Sequence, residues 1–104
     1  MSIAKQDSTF IINRLQANKD KIKTFGIRTL GIFGSYARNE QHDKSDVDIL
    51  IDFLDGKKNI RNFIYLADYL EEILDVKVDL ILEKNLRPEI KSNVMEDVKY
   101  VQIQ

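Results

Sequence analysis

The sequence predicts an α/β domain, a small mixed sheet of about three strands with flanking helices, and three patterns carry that prediction. Asp46 to Phe53 (DVDILIDF) alternates with the period of a strand, an apolar residue at every second position, and Val76 to Leu82 (VKVDLIL) alternates again. Between them Ile60, Phe63, Ile64, Ala67, Leu70, Ile73 and Leu74 recur every three or four residues, the stripe of an amphipathic helix. A strand, a helix and a second strand in succession call for a sheet with helices packed on it.

The rest of the chain fits the same alternation. Ile11, Leu15, Asn18, Ile22 and Phe25 predict an opening helix of about 16–18 residues, and Gly26 stands where a left-handed C-terminal cap belongs. Arg28 to Phe33 (RTLGIF) is a short strand closed by Gly34-Ser35, where a short helix begins. A last helix starts near Pro88, a residue suited to a first helical turn, and carries Ile90, Val94 and Val98. The predicted order is helix, strand, short helix, strand, helix, strand, helix. With 104 residues, the expectation is one domain over 1–104, because a chain of this size supports a single core.

Composition removes several classes of function. The chain has no cysteine, which excludes disulfides, Cys-ligated zinc, iron–sulfur clusters and thiol nucleophiles. Sixteen Lys and Arg against 17 Asp and Glu give no strongly basic balance, so direct nucleic-acid binding is not expected. No apolar run approaches the roughly 20 residues that span a bilayer, and MSIAKQDSTF lacks the layout of a signal peptide. A cytoplasmic chain that meets no membrane is the expectation.

The chemistry lies in the strands. Val47, Ile49, Ile51 and Phe53 share one face of the second strand, and Asp46, Asp48, Leu50 and Asp52 the other. Asp46 and Asp48 then lie roughly 6.6 Å apart along the backbone, close enough to repel and to raise each other's pKa unless a cation neutralises them. Aspartate is poor strand material, and a broken local rule of this kind marks candidate functional residues. Mg²⁺ suits such a pair, since it takes one or two carboxylates together with water and substrate phosphates. Asp79, on a neighbouring strand, can complete a three-carboxylate cluster for two metals. Asp52 lies toward the other end of its strand and reads as a surface acid. Gly34 lets the backbone approach a ligand, the helix start after it offers N–H groups to a phosphate, and Ser35 adds a hydroxyl. Arg38, three residues on, can add a charge-assisted bond.

Together these form a Gly34-Ser35, ten-residue, Asp46-Val47-Asp48 arrangement followed by Asp79. In the words GSYARNE (Gly34 to Glu40), SDVDILIDF (Ser45 to Phe53) and VDLI (Val78 to Ile81), the chain resembles the minimal nucleotidyltransferases of the DNA polymerase β-like superfamily. The resemblance implies that superfamily's fold, and it implies that Gly34 and Ser35 cradle nucleotide phosphates with Arg38 in support. It implies that Asp46, Asp48 and Asp79 bind Mg²⁺, two ions in all, and act in catalysis, with Asp79 helping to deprotonate the attacking hydroxyl. The implied reaction is in-line attack on the α-phosphate of ATP with release of pyrophosphate. Many such proteins are antitoxins paired with a HEPN-domain toxin. The resemblance therefore implies transfer of AMP to a tyrosine of a HEPN ribonuclease within a hetero-oligomer, which silences the toxin.

Two departures from the family pattern stand out. Asn39 occupies a position where the family often has glycine, and asparagine tolerates the left-handed region. The loop Gln41-His42-Asp43-Lys44 is unusually polar, and His42, the one histidine, reads as a solvated loop residue. The alternative reading is a non-catalytic antitoxin that neutralises its partner by complex formation. Transfer to a small molecule or an RNA end ranks lower, because known enzymes of those kinds carry additional domains to hold the acceptor.

Overall fold

The structure, a computed structural model, describes residues 7–41 and 46–103. Its elements are α1 (Ser8–Ala17), α2 (Lys19–Lys23), β1 (Ile27–Phe33), α3 (Gly34–Ala37), β2 (Val47–Phe53), α4 (Ile60–Leu74), β3 (Val78–Leu82), a 3-10 turn (Glu83–Asn85), α5 (Pro88–Asp97) and β4 (Lys99–Val101). They build a mixed four-stranded sheet in the order β3-β2-β1-β4. β1 runs antiparallel to β2 and to β4. β2 and β3 are parallel, joined by the crossover helix α4.

The opening helix is two pieces where the periodicity predicts one. The Asp7 side chain caps α1 by accepting from the Phe10 N–H at 2.9 Å. At Asn18 the backbone leaves the helical region, with φ −111° and ψ 17°. The Asn18 amide donates to the Arg14 carbonyl at 2.8 Å and accepts from the Tyr69 hydroxyl at 3.0 Å. A short polar side chain that bonds nearby backbone competes with the helical ladder, and the tie to α4 fixes the break. Gly26 adopts φ +81°, the left-handed conformation expected past the second piece.

α4 spans the predicted stripe. Asn59 caps its start by accepting from the Asn62 N–H at 2.7 Å, and Asp75 ends it in the left-handed region. Leu66, Leu70 and Leu74 are fully buried against Ile11, Leu15, Ile22, Leu30, Ile32, Ile49 and Ile51, which makes one core on one side of the sheet. β2 is buried almost throughout, Leu50 on its second face included.

The last helix departs most from expectation. It stops at Asp97, so Val98 falls beyond it, and Ile90 is exposed. The residues that follow turn back as β4, pairing Tyr100 with Gly31. Gly31 makes this possible: a Cβ there would lie 2.7 Å from Val98 Cγ2 and 3.0 Å from Tyr100 Cδ1. The Tyr100 hydroxyl donates to Glu83 Oε1 at 3.0 Å, tying β4 to the 3-10 turn after β3. Burial, helped by the Glu83 carboxylate, pushes that hydroxyl up to about 12.

Gly31→Ala is expected to destabilise the fold by about 1–3 kcal/mol through overpacking. Adding Val98→Ala, which removes the nearest atom, should recover part of the loss. Urea denaturation of the single and double variants checks both; an unchanged midpoint for Gly31→Ala would contradict the packing.

Candidate active site

The candidate site forms where β1 ends and β2 begins. β1 leads through Phe33 into Gly34 at φ +73°, a left-handed residue that swings the chain into the single turn α3. A Cβ on Gly34 would overlap the Asp48 carboxylate, so only glycine lets this turn lie against that group. Ser35 follows at half-burial, and its carbonyl accepts from the Glu40 N–H at 2.8 Å. Tyr36 and Ala37 point into the core and anchor the turn from below.

Asp48 is brought beside Asp79 by strand register: the two are direct neighbours across the parallel β2–β3 pair, where adjacent strands lie roughly 4.8 Å apart. Asp48 is half-buried, while Asp46, just before β2, and Asp79 are exposed. Burial pushes the Asp48 carboxyl up to about 6, and the charges of Asp79 and then Asp46 add to the rise. The Arg38 guanidinium acts in the opposite sense. The Asp46 charge also reaches Tyr36, whose hydroxyl is raised mainly by burial.

Two of the predicted carboxylates, Asp46 and Asp79, thus act electrostatically on the third, Asp48. Among the described residues, no three His, Cys, Asp or Glu side chains converge closely enough to hold a metal ion by themselves, so any ion here would need ligands from outside the chain. The donor set is all oxygen, with one carboxylate pressed against a glycine turn. It fits a hard divalent ion that keeps water and phosphate oxygens as its remaining ligands.

Other predicted residues fall differently. Asp52 stands away from this cluster and pairs with Arg28 at 3.6 Å, the surface role read for it. Asn39 adopts φ +56°, the left-handed conformation that asparagine was expected to tolerate, and its Oδ1 accepts from the Ser8 N–H at 2.9 Å. His42 and Ser45 lie outside the described residues. Arg38 closes the glycine turn, its backbone N–H donating to the Gly34 carbonyl at 3.2 Å, and its guanidinium donates to Glu40 at 3.0 Å and to Asp97 at 2.8 Å. Sequence reasoning missed both carboxylates. Glu40 lies inside the GSYARNE word and was legible as a neighbour, whereas Asp97 is 59 positions away on α5 and no local pattern points to it.

The chain matches the nucleotidyltransferase domain family over residues 13–101, and it belongs to that family. It is 42% identical over 88 residues to protein adenylyltransferase MntA of Thermococcus cleftensis, covering 84% of this chain and 88% of that protein. Among solved structures it is similar to a toxin–antitoxin with AMP-PNP, at TM-score 0.64 and 26% identity over 84% of this chain and 74% of that one. The MNT antitoxin complex with tri-AMPylated HEPN toxin of Shewanella oneidensis shares the fold, at TM-score 0.56 and 23% identity over 86% and 72% of the two chains.

The raised Asp48 carboxyl predicts how stability varies with pH. An unfolded aspartate loses its proton near 3.8 and the folded Asp48 near 6, so between those values the unfolded chain binds fewer protons and stability falls as pH rises. Above about 6 the full penalty of a buried, repelled charge is present. Asp48→Asn, which removes the charge and keeps the shape, should raise the melting temperature at pH 7.5 and progressively less toward pH 4. An equal shift at both pH values, in metal-free buffer, would contradict the placement of Asp48.

Proposed function

We propose that this nucleotidyltransferase is an antitoxin that transfers AMP from ATP to a tyrosine hydroxyl of a HEPN-domain ribonuclease toxin, with which it forms a hetero-oligomer. The observation that carries the proposal is the Asp48 carboxylate lying against the left-handed Gly34 turn on one side and beside Asp79 on the other. The named relative and the antitoxin–nucleotide structure support the same reading.

In this mechanism Gly34 and Ser35 receive the triphosphate, the glycine through its bare backbone and the serine through its hydroxyl, and Arg38 supports the phosphates. Asp46, Asp48 and Asp79 would hold Mg²⁺, which when bound spreads the negative charge that builds on the phosphate oxygens. A tyrosine hydroxyl has an ordinary pKa near 10, so a base must take its proton as it attacks, and Asp79, exposed at the cluster's rim, fills that role. The tyrosine oxygen bonds to the α-phosphorus, the bond to the bridging oxygen breaks in line, and pyrophosphate leaves. Positioning and charge stabilisation account for most of such a transfer, which a small domain can provide. The acceptor arrives on its own protein surface, so this chain needs no acceptor-binding domain.

Purified chain with Mg²⁺ and ATP should shift the intact mass of its HEPN partner by whole AMP units and abolish the partner's ribonuclease activity. Asp48→Ala should reduce the transfer rate by about 100-fold or more, the scale of losing a group that stabilises transition-state charge. Silencing of the partner without a mass shift, equally by the native chain and by the Asp46→Ala, Asp48→Ala variant, would establish a binding antitoxin instead.

A further inference from the structure

We propose that Asp97, at the end of α5, is a positioning residue: it fixes the Arg38 guanidinium at the mouth of the carboxylate site and so sets how strongly the enzyme holds ATP. The inference rests on the reading of Arg38 as a phosphate contact and names the residue that aims it.

Two carboxylates hold Arg38, one from two residues away and one from 59 residues away. Its Nε donates to Glu40 Oε1 at 3.0 Å and its Nη1 to Asp97 Oδ2 at 2.8 Å, both hydrogen-bond distances and the second as short as charge-assisted bonds are. An arginine side chain is long and loses much rotamer freedom when it is fixed. One carboxylate bond leaves the guanidinium plane free to swing, whereas bonds from two different nitrogens define it. A guanidinium has five N–H donors. Two are taken here, so among the described residues three remain for a ligand, and the side chain is still 44% exposed. The group is therefore both oriented and available. The Arg38 backbone N–H donates to the Gly34 carbonyl at 3.2 Å, one turn from the glycine that lies against the Asp48 carboxylate.

Glu40 is a local partner two residues away with an exposed side chain, whereas Asp97 is only 33% exposed and comes from another layer of the fold. Its position follows from the C-terminal packing: Val98, the next residue, lies on Gly31 in the middle of the sheet, and Tyr100 is tied to Glu83. Asp97 is thereby delivered to Arg38 by a rigid seam. A preorganised cation loses less freedom when a triphosphate arrives.

The test is a set of variants, Asp97→Ala, Asp97→Asn, Asp97→Glu, Arg38→Ala and the Arg38→Ala, Asp97→Ala pair, each read for melting temperature. ATP affinity in Mg²⁺ buffer is measured by calorimetry, and KM and kcat for AMP transfer to the HEPN partner by intact mass. Asp97→Ala and the isosteric Asp97→Asn should weaken ATP binding and raise KM by about threefold to tenfold, the scale of a charge-assisted contact, with kcat little changed. Asp97→Glu should restore part of the affinity. In the Arg38→Ala background, removing Asp97 should cost nothing further, because the group that it aims is gone. Unchanged affinity in Asp97→Asn, or losses that add in full to those of Arg38→Ala, would overturn the proposal. If the native chain binds ATP but transfers no AMP, the transfer reading falls and the affinity series still decides the role of Asp97. If the native chain binds no ATP, both fall.

Discussion

The register of β2 is the constraint on which the site depends. Val47, Ile49 and Ile51 are fully buried against α1 and α4, and because side chains alternate, burying that row turns Asp48 toward the opposite face. A slip of one residue would drive the aspartates into the core and the isoleucines out of it, so the hydrophobic side holds the polar side in place. The same register sets Asp48 opposite Phe33 on β1 and opposite Asp79 on β3. Phe33 is the last residue before Gly34, and the glycine turn consequently meets the Asp48 carboxylate without any loop having to find it. An apolar core thus positions the candidate site on the far side of a sheet one layer thick.

That arrangement stores unfavourable electrostatics. Asp48 is half-buried beside two other acids, and its raised carboxyl records the cost of holding its charge there. Functional sites commonly sit at such a local expense, which the surrounding structure over-determines. Here the compensation is visible in the parallel β2–β3 pairing, in the α4 crossover with its three buried leucines, and in Tyr36 and Ala37 pinning the one-turn α3.

The C-terminal segment connects this site to the rest of the molecule. α5 buries no side chain completely, and its hold on the sheet comes from its end, where Val98 and Tyr100 lie over Gly31. The absence of one Cβ in β1 lets the chain return as β4, and the return carries Asp97 to Arg38. At the other side of the same turn, the Asn39 side chain accepts from the first backbone N–H of α1, and Lys99 of β4 donates to the Ser8 hydroxyl at 3.2 Å. Both ends of the chain therefore brace the segment that follows the glycine turn.

What the sequence determined alone is what short-range periodicity and residue chemistry encode. The alternation in DVDILIDF made β2, the stripe from Ile60 to Leu74 made α4, and the Gly34-Ser35, Asp46, Asp48 and Asp79 pattern identified the candidate site and the family. Even the left-handed Asn39 was legible, because a single residue's backbone preference is local. Tertiary structure decided the rest. Asn18 divides the first helix because Tyr69 is there to bond it, and Val98 leaves its helical stripe because Gly31 offers it space on the sheet. β4 is three residues long, too short to show a period, and exists because β1 has an open edge to pair with. Asp97 reaches Arg38 across 59 positions of sequence. No window along the chain contains both partners of such a contact; folding brings them together, and only there does their charge acquire a role.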